Sequence, residues 1–173
     1  IPSELSESEK RVSITPDCVS SLKKMGFNVC VQSNAGILSS FTDNEYKKSG
    51  ATIISKPNDL YKNADIVVKI QRPLKTNKVN EFSFLKNCSL LTLLYPEKFK
   101  LEFQNLKKLK INVFAMEKMP RISRAQSMDI LSSQSNLSGY KAVVDAASYF
   151  NKAFPLMMTS AGTVAPAKVL IIG

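Results

Sequence analysis

Segment 121–132 holds the densest group of side chains suited to bind a small ligand. It contains two of the chain's four arginines, Arg121 and Arg124, and follows a strand-like stretch that ends near Met116. In open α/β sheets, ligands bind beyond the carboxyl ends of the strands, where such a segment would lie. Arginine binds phosphate through paired N–H groups, and a helix N-terminus favours anions. The same residues also fit an ordinary capped helix start with solvated arginines, and no glycine-rich phosphate cradle is present to decide between the two.

Three further polar side chains of this segment offer hydrogen bonds to a ribose or an amide. They are Gln126, Asp129 and Ser132. Asp129 and Ser132 stand three positions apart, so they share a face once the following helix has begun.

The reactive residue types limit the chemistry that this chain can perform. It contains no histidine, which excludes Ser-His-Asp and Cys-His catalysis, histidine–metal sites and imidazole acid–base steps. We therefore predict no metal site. Cys18, Cys30 and Cys88 lie far apart in or beside apolar stretches. We predict that all three are buried free thiols in a reducing compartment.

The charge is strongly basic, with 24 Lys+Arg against 14 Asp+Glu and a formal net charge of +10. Most of these cations are scattered lysines, such as those of segment 107–110, which is typical of the solvated face of a helix. Recognition of nucleic acid usually requires clustered arginine and interleaved aromatic residues, and neither occurs here. We therefore predict no nucleic-acid partner.

The length of 173 residues is sufficient for an ordinary domain core, and no apolar run is long enough to span a bilayer. The chain begins Ile1-Pro2 without a methionine and ends with the apolar run 168–172 followed by Gly173. Such an ending is typical of a buried parallel strand that enters a glycine-rich turn. We expect the sequence to be a piece of a longer chain.

Strand and helix patterns alternate along the chain, which predicts a doubly wound, largely parallel α/β sheet of the flavodoxin or Rossmann type. A stripe of Phe99, Phe103 and Leu106 at helical spacing predicts core packing. Gly139, in the middle of the last and longest helix, predicts close packing or a bend there. The predicted strands are 28–32, 52–54, 65–70, 90–94, 111–116 and 168–172, and the predicted helices are 16–25, 42–49, 99–109 and 127–152.

The block from Arg121 to Tyr140 strongly resembles the NAD(H)-binding domain of proton-translocating NAD(P) transhydrogenases, in the alanine dehydrogenase/transhydrogenase superfamily. The similarity continues along nearly the whole chain, through segments 9–16, 34–43, 64–69, 94–96 and 161–173. The resemblance implies an N-terminal α/β domain over 1–126. It also implies an inter-domain helix and the first strand of a second Rossmann domain over 127–173. In that family the first glycine of the dinucleotide fingerprint directly follows this strand, at the position of Gly173.

The resemblance implies an enzyme that transfers hydride directly between NAD(H), bound by this domain, and NADP(H) on a separate domain. The transfer is coupled to proton movement across a membrane. The family carries a mobile loop beside the nicotinamide, to which Arg121, Gln126 and Asp129 correspond as catalytic residues. The expected cofactor-binding residues are Arg121, Ile122, Ser123, Gln126, Asp129 and Ser132.

The expected partners follow from the same resemblance. They are the NADP(H)-binding domain and the membrane domain of the same enzyme. A second copy of the chain is expected against a hairpin near 154–162. The domain would belong to a membrane complex and lie on its soluble side, in a bacterial cytoplasm or a mitochondrial matrix.

Two alternatives stay open. Alanine dehydrogenases resemble this chain near its N-terminus, where Arg11 and Lys69 match positions that hold the amino or keto acid. Those enzymes use a histidine where Tyr95 stands here, and imine chemistry needs that proton transfer. We expect Lys69 to be a strand-end lysine in water. The other alternative is a scaffold fragment that binds no nucleotide by itself, because the glycine fingerprint lies beyond Gly173.

Overall fold

The computed structural model describes residues 1–172 and divides into two compact units, Ile1–Arg121 and Ile122–Gly173. Gly173, expected as the first glycine of a dinucleotide fingerprint, lies outside the described residues. None of the helices in residues 1–172 combines the length and the apolar character needed to cross a membrane. The assignment of domains to 1–126 and 127–173 stays a prediction.

The strands of the first unit are all parallel. β1 (Cys30–Gln32) pairs with β2 (Thr52–Ile54), and a second sheet has the order β3 (Ile66–Gln71), β4 (Ser89–Leu93), β5 (Asn112–Ala115). The predicted α/β class with parallel strands is confirmed. The parallel strands are divided between two hydrogen-bonded ladders rather than joined in one.

Helices connect these strands, as parallel pairing requires. The helix after β1 begins with the predicted capping box, in which Thr42 and Glu45 each bond the other's backbone N–H. The sequence analysis missed the helix that starts at Pro57, a residue suited to the first helical position. The helices of this unit are α1 (Pro16–Lys24), α2 (Asp43–Lys48), α3 (Pro57–Lys62) and α4 (Lys100–Leu109).

Two apolar clusters form the core of the first unit. One surrounds Val19, Val31 and Tyr46 beside β1 and β2, and the other packs Leu90 of β4 against Leu106 of α4. Only part of the predicted aromatic stripe is core, because Leu106 is 2% exposed whereas Phe103 is 44% exposed. A helix of ten residues that covers one sheet turns part of even an apolar stripe towards solvent.

The three cysteines are free, as predicted, but only Cys88 is buried. Cys30 is half-buried, and Cys18 is exposed because it lies on the solvent side of α1, one position from the buried Val19. The expectation of three buried thiols is therefore wrong for Cys18. Burial raises the pKa of the Cys88 thiol above its ordinary value.

The second unit contains α5 (Ile130–Tyr149) and an antiparallel hairpin of β6 (Met157–Thr159) and β7 (Gly162–Val164). α5 is shorter than predicted, since Ser127 and Met128 belong to a preceding 3₁₀ turn. Close packing at Gly139 is also wrong, because no atom lies within 4 Å of the place that a Cβ would take.

The predicted strand 168–172 does not form. These residues are exposed and pair with no other strand among residues 1–172. An apolar run becomes a strand only where a neighbouring strand satisfies its backbone groups, so the sequence pattern alone was insufficient.

Candidate functional site

The chain leaves β5 through a short 3₁₀ turn, Met116–Lys118, and reaches the predicted ligand-binding segment 121–132. Met119 has φ −56° and ψ 125°, the extended conformation that a residue before proline favours. Pro120 then leads into Arg121, the last residue of the first unit. The segment thus follows the carboxyl end of a parallel strand, as the sequence analysis expected.

Residues 122–128 belong to the second unit and form a turn that presents polar groups. The backbone N–H of Ala125 donates to the Ile122 carbonyl at 2.9 Å, and that of Asp129 donates to the Gln126 carbonyl at 3.2 Å. The side chains of Ser123 and Gln126 are exposed, and Ile122 is 55% exposed. Within residues 1–172 the Gln126 amide makes no hydrogen bond, so both its donor and its acceptor remain available to a ligand.

Asp129 and Ser132 come together, as their spacing predicted. Asp129 caps α5, and its carboxylate accepts hydrogen bonds from the Ser132 backbone N–H at 3.0 Å and the Ser132 hydroxyl at 2.7 Å. A helix N-terminus usually attracts an anion, but here the protein's own carboxylate fills that role. The structure thus favours the capped-helix interpretation at Asp129.

A buried ionic cluster lies beside the carboxyl end of β3. The Lys69 ammonium is 2.6 Å from Glu81 Oε1 and 3.4 Å from Glu4 Oε2, and the side chains are 1%, 4% and 4% exposed respectively. Tyr61 donates its hydroxyl to Glu81 Oε1 at 3.2 Å, and the Leu74 N–H donates to Glu81 Oε2 at 2.8 Å. The expectation that Lys69 points into water is therefore wrong. Two carboxylates distant in sequence bury and neutralise the ammonium.

The charges of this cluster perturb its titrating members. Burial raises the pKa of Glu4, although the Lys69 ammonium and two backbone N–H groups oppose the shift. Burial, together with the neighbouring Glu81 carboxylate, raises the pKa of the Tyr61 phenol far above its ordinary value. A raised pKa at Glu4 brings the cluster closer to neutrality than two full carboxylates around one ammonium would be.

Arg11 is also engaged by a carboxylate of the chain. Its guanidinium binds Glu9 in a paired arrangement, with contacts of 2.7 Å and 2.6 Å, while Gln71 donates to the same carboxylate at 2.8 Å. These bonds, led by those from Arg11, lower the pKa of Glu9 to about 2. Glu9 is therefore a fixed anion that orients the arginine.

A third carboxylate closes the end of β4. Glu117 accepts the Leu94 N–H at 3.0 Å and the Tyr95 N–H at 2.7 Å. Tyr95 has φ +47°, in the left-handed region that residues other than glycine seldom adopt. Successive N–H groups in such a turn form a small anion-binding nest, and Glu117 occupies it.

The sequence analysis did not identify Glu4, Glu81 or Glu117. Each acts on residues at least 7 positions away along the chain. No local spacing marks them. Sequence position after a predicted strand was the one available signal for Glu117, and it does not specify a partner.

The parallel α/β architecture with a polar loop beyond β5 is that of a domain of the dehydrogenase type. Residues 1–138 match the family model described as alanine dehydrogenase/PNT, N-terminal domain. The chain belongs to this family.

Within the family, the chain is more similar to transhydrogenase subunits than to alanine dehydrogenases. It is 47% identical over 175 residues to an NAD(P) transhydrogenase subunit alpha of Rhodospirillum rubrum, covering 100% of this chain and 46% of that protein. The crystal structure of transhydrogenase from Sinorhizobium meliloti gives a TM-score of 0.88 at 40% identity, covering 95% of this chain and 48% of that one. Alanine dehydrogenase of Bacillus subtilis is 30% identical over 176 residues, covering 100% of this chain and 45% of that protein. The chain thus spans about half the length of the curated relatives it matches.

Proposed function

We propose that this chain is the NAD(H)-side, N-terminal portion of a proton-translocating NAD(P) transhydrogenase. The observation that carries the proposal is 47% identity, across 100% of the chain, to a transhydrogenase alpha subunit. The agreement of the backbone with a transhydrogenase structure, at a TM-score of 0.88, supports it independently of sequence spacing.

The exposed groups of segment 122–132 fit the nicotinamide end of NAD(H). The unpartnered Gln126 amide has the donor and acceptor that a carboxamide or a partner nucleotide requires, and Ile122 offers an exposed apolar surface. Asp129 and Ser132 already bind each other, so their role is to hold the loop and present oxygen atoms to a ribose. When bound, NAD(H) supplies the hydride.

The residues of this site position the reactants and transfer no proton. Direct hydride transfer needs two reacting atoms held in contact, and correct orientation contributes much of the rate. In this proposal Gln126 faces the incoming NADP(H)-binding domain, while Arg121, Ser123, Asp129 and Ser132 hold the loop and the cofactor. The absence of histidine is compatible with this chemistry.

Amino-acid dehydrogenation is the second candidate, favoured by the family match that covers both enzymes. Two observations count against it. The Lys69 ammonium is 1% exposed between Glu4 and Glu81, and the Arg11 fork is occupied by Glu9, so both cations are already bound to carboxylates. A substrate carboxylate would have to displace these bonds.

The partners and location in the proposal follow from the relatives. The protein would act with an NADP(H)-binding domain and a membrane domain, and as a homodimer in which the hairpin β6–β7 contacts a second copy. It would lie at the membrane, on the cytoplasmic or matrix side of the complex. Sedimentation of the full-length protein as a monomer at all concentrations would remove the homodimer.

The test uses the full-length native protein and the variant Gln126→Asn, with NADH and NADPH titrated separately by nicotinamide fluorescence. We expect NADH to bind and NADPH not to bind. Gln126→Asn should keep the affinity within about twofold and slow hydride transfer about tenfold once the NADP(H) domain is added, because a shortened amide misplaces the reactants.

Gln104→Asn, at an exposed position of α4, is the matched control and should behave as the native protein. If neither nucleotide binds the full-length protein, the scaffold interpretation replaces the enzyme. If Gln126→Asn transfers hydride at the native rate, Gln126 has no role in the reaction.

A further inference from the structure

Glu117 links two sheet ends of the first unit that its neighbours in sequence do not otherwise join. It follows β5, yet its carboxylate accepts two successive backbone N–H groups at the end of β4, from Leu94 at 3.0 Å and Tyr95 at 2.7 Å. Both bonds have an ionised acceptor, which makes them stronger than neutral ones.

The bonds from Glu117 stabilise a backbone conformation that is unfavourable by itself. Tyr95 has φ +47°, and a residue with a Cβ keeps such a value only where its surroundings fix it. Pro96 follows directly and fixes the next φ. The turn at the end of β4 is thus held from both sides.

The anchored position is four residues before Arg121, and the connection between them is stiff. Met119 is extended, with φ −56° and ψ 125°, because it precedes Pro120. The proline ring fixes its own φ. A displacement of Glu117 is therefore transmitted to Arg121 with little loss, and a fixed Glu117 fixes Arg121 relative to the end of β4.

We propose that Glu117 is a positioning residue for hydride transfer: its carboxylate, bound to the Leu94 and Tyr95 N–H groups, sets the place of Arg121 at the start of the loop. This inference rests on the proposed function. Glu117 touches neither cofactor nor substrate and acts through Arg121.

The same two stretches of chain provide a matched control. Glu97 and Lys118 form an ion pair between them, but both side chains are more than half exposed. An exposed pair contributes little to stability or position. Glu97→Gln therefore removes a carboxylate from the same region without disturbing the backbone N–H groups.

The experiment compares the native protein, Glu117→Gln and Glu97→Gln in the full-length protein with its NADP(H) domain. Three quantities are measured: trypsin cleavage after Arg121 without nucleotide, NADH affinity by fluorescence, and hydride-transfer kcat. For Glu117→Gln we expect cleavage at least fivefold faster and kcat about tenfold lower, because misplacement of about 1 Å is costly to a bimolecular reaction. NADH affinity should stay within about twofold, and Glu97→Gln should match the native protein in all three.

A second variant separates positioning from loss of folding. Glycine adopts positive φ at no steric cost, so adding Tyr95→Gly to Glu117→Gln should restore slow trypsin cleavage at least in part. Glu117→Gln with native cleavage or native kcat would overturn the positioning role, while active native protein leaves the proposed function standing. If the native protein transfers no hydride but Glu117→Gln still accelerates cleavage, the proposed function fails and Glu117 is left as a structural anchor only.

Discussion

Removal of Glu81 tests whether the buried ionic cluster stabilises the first unit. Glu81→Leu deletes the closest partner of the Lys69 ammonium, 2.6 Å away, and leaves only Glu4 at 3.4 Å. It also removes the acceptor of the Tyr61 hydroxyl and of the Leu74 N–H. The ammonium is 1% exposed, so water does not replace the lost carboxylate.

The magnitude follows from this burial. Breaking one side of a buried ion pair costs about 3–5 kcal/mol in the free energy of unfolding. For a chain of this length, 1 kcal/mol corresponds to about 2–4 °C in the unfolding midpoint. We therefore expect Glu81→Leu to lower the midpoint by about 6–20 °C, measured by circular dichroism on heating and confirmed by urea unfolding.

Two further variants show whether the effect comes from the uncompensated charge. Lys69→Met added to Glu81→Leu removes the buried ammonium, so the double variant should be more stable than Glu81→Leu alone. Glu97→Leu, which breaks the exposed pair with Lys118, should leave the midpoint nearly unchanged. If Glu81→Leu melts with Glu97→Leu and the native protein, the buried cluster does not stabilise the fold.

Three other predictions concern the first unit. Hydrogen bonds from Arg11 lower the pKa of Glu9 from 4.5 to about 2, so its stabilising effect is present above pH 4.5 and is lost as the pH falls towards 2. The stability difference between the native protein and Glu9→Gln should shrink over that interval, and a constant difference would contradict the assignment. Thr42→Ala removes the side-chain acceptor of the capping box and should destabilise α2 by about 1 kcal/mol, measured by urea unfolding. Gly36→Ala would place a Cβ 2.8 Å from the Tyr46 ring and should cost about 1–3 kcal/mol in the same urea assay, whereas no loss would show that the ring moves freely.

Local patterns predicted the elements of the first unit well. The capping box at Thr42 and Glu45, the strand centred on Val67 and the helix containing Leu106 all depend on contacts between near neighbours in sequence. Such signals are readable because the residues that create them are themselves adjacent.

The failures share a different cause, which is dependence on distant residues. Lys69 looked like a solvated lysine because its partners, Glu4 and Glu81, come from segments that the fold alone brings together. The run 168–172 looked like a strand but pairs with nothing among residues 1–172. In the candidate site, the spacing of Asp129 and Ser132 predicted their contact, whereas the anchoring of Tyr95 by Glu117 had no sequence signal.

A single comparison of two reactions tests the proposed function most directly. The full-length protein with its NADP(H) domain is given NADH and oxidised NADP in one cuvette, and alanine with oxidised NAD in another. We expect NADPH to form in the first mixture and no NADH to form in the second. NADH formation from alanine, without transfer between the two nucleotides, would contradict the proposal and identify an amino-acid dehydrogenase instead.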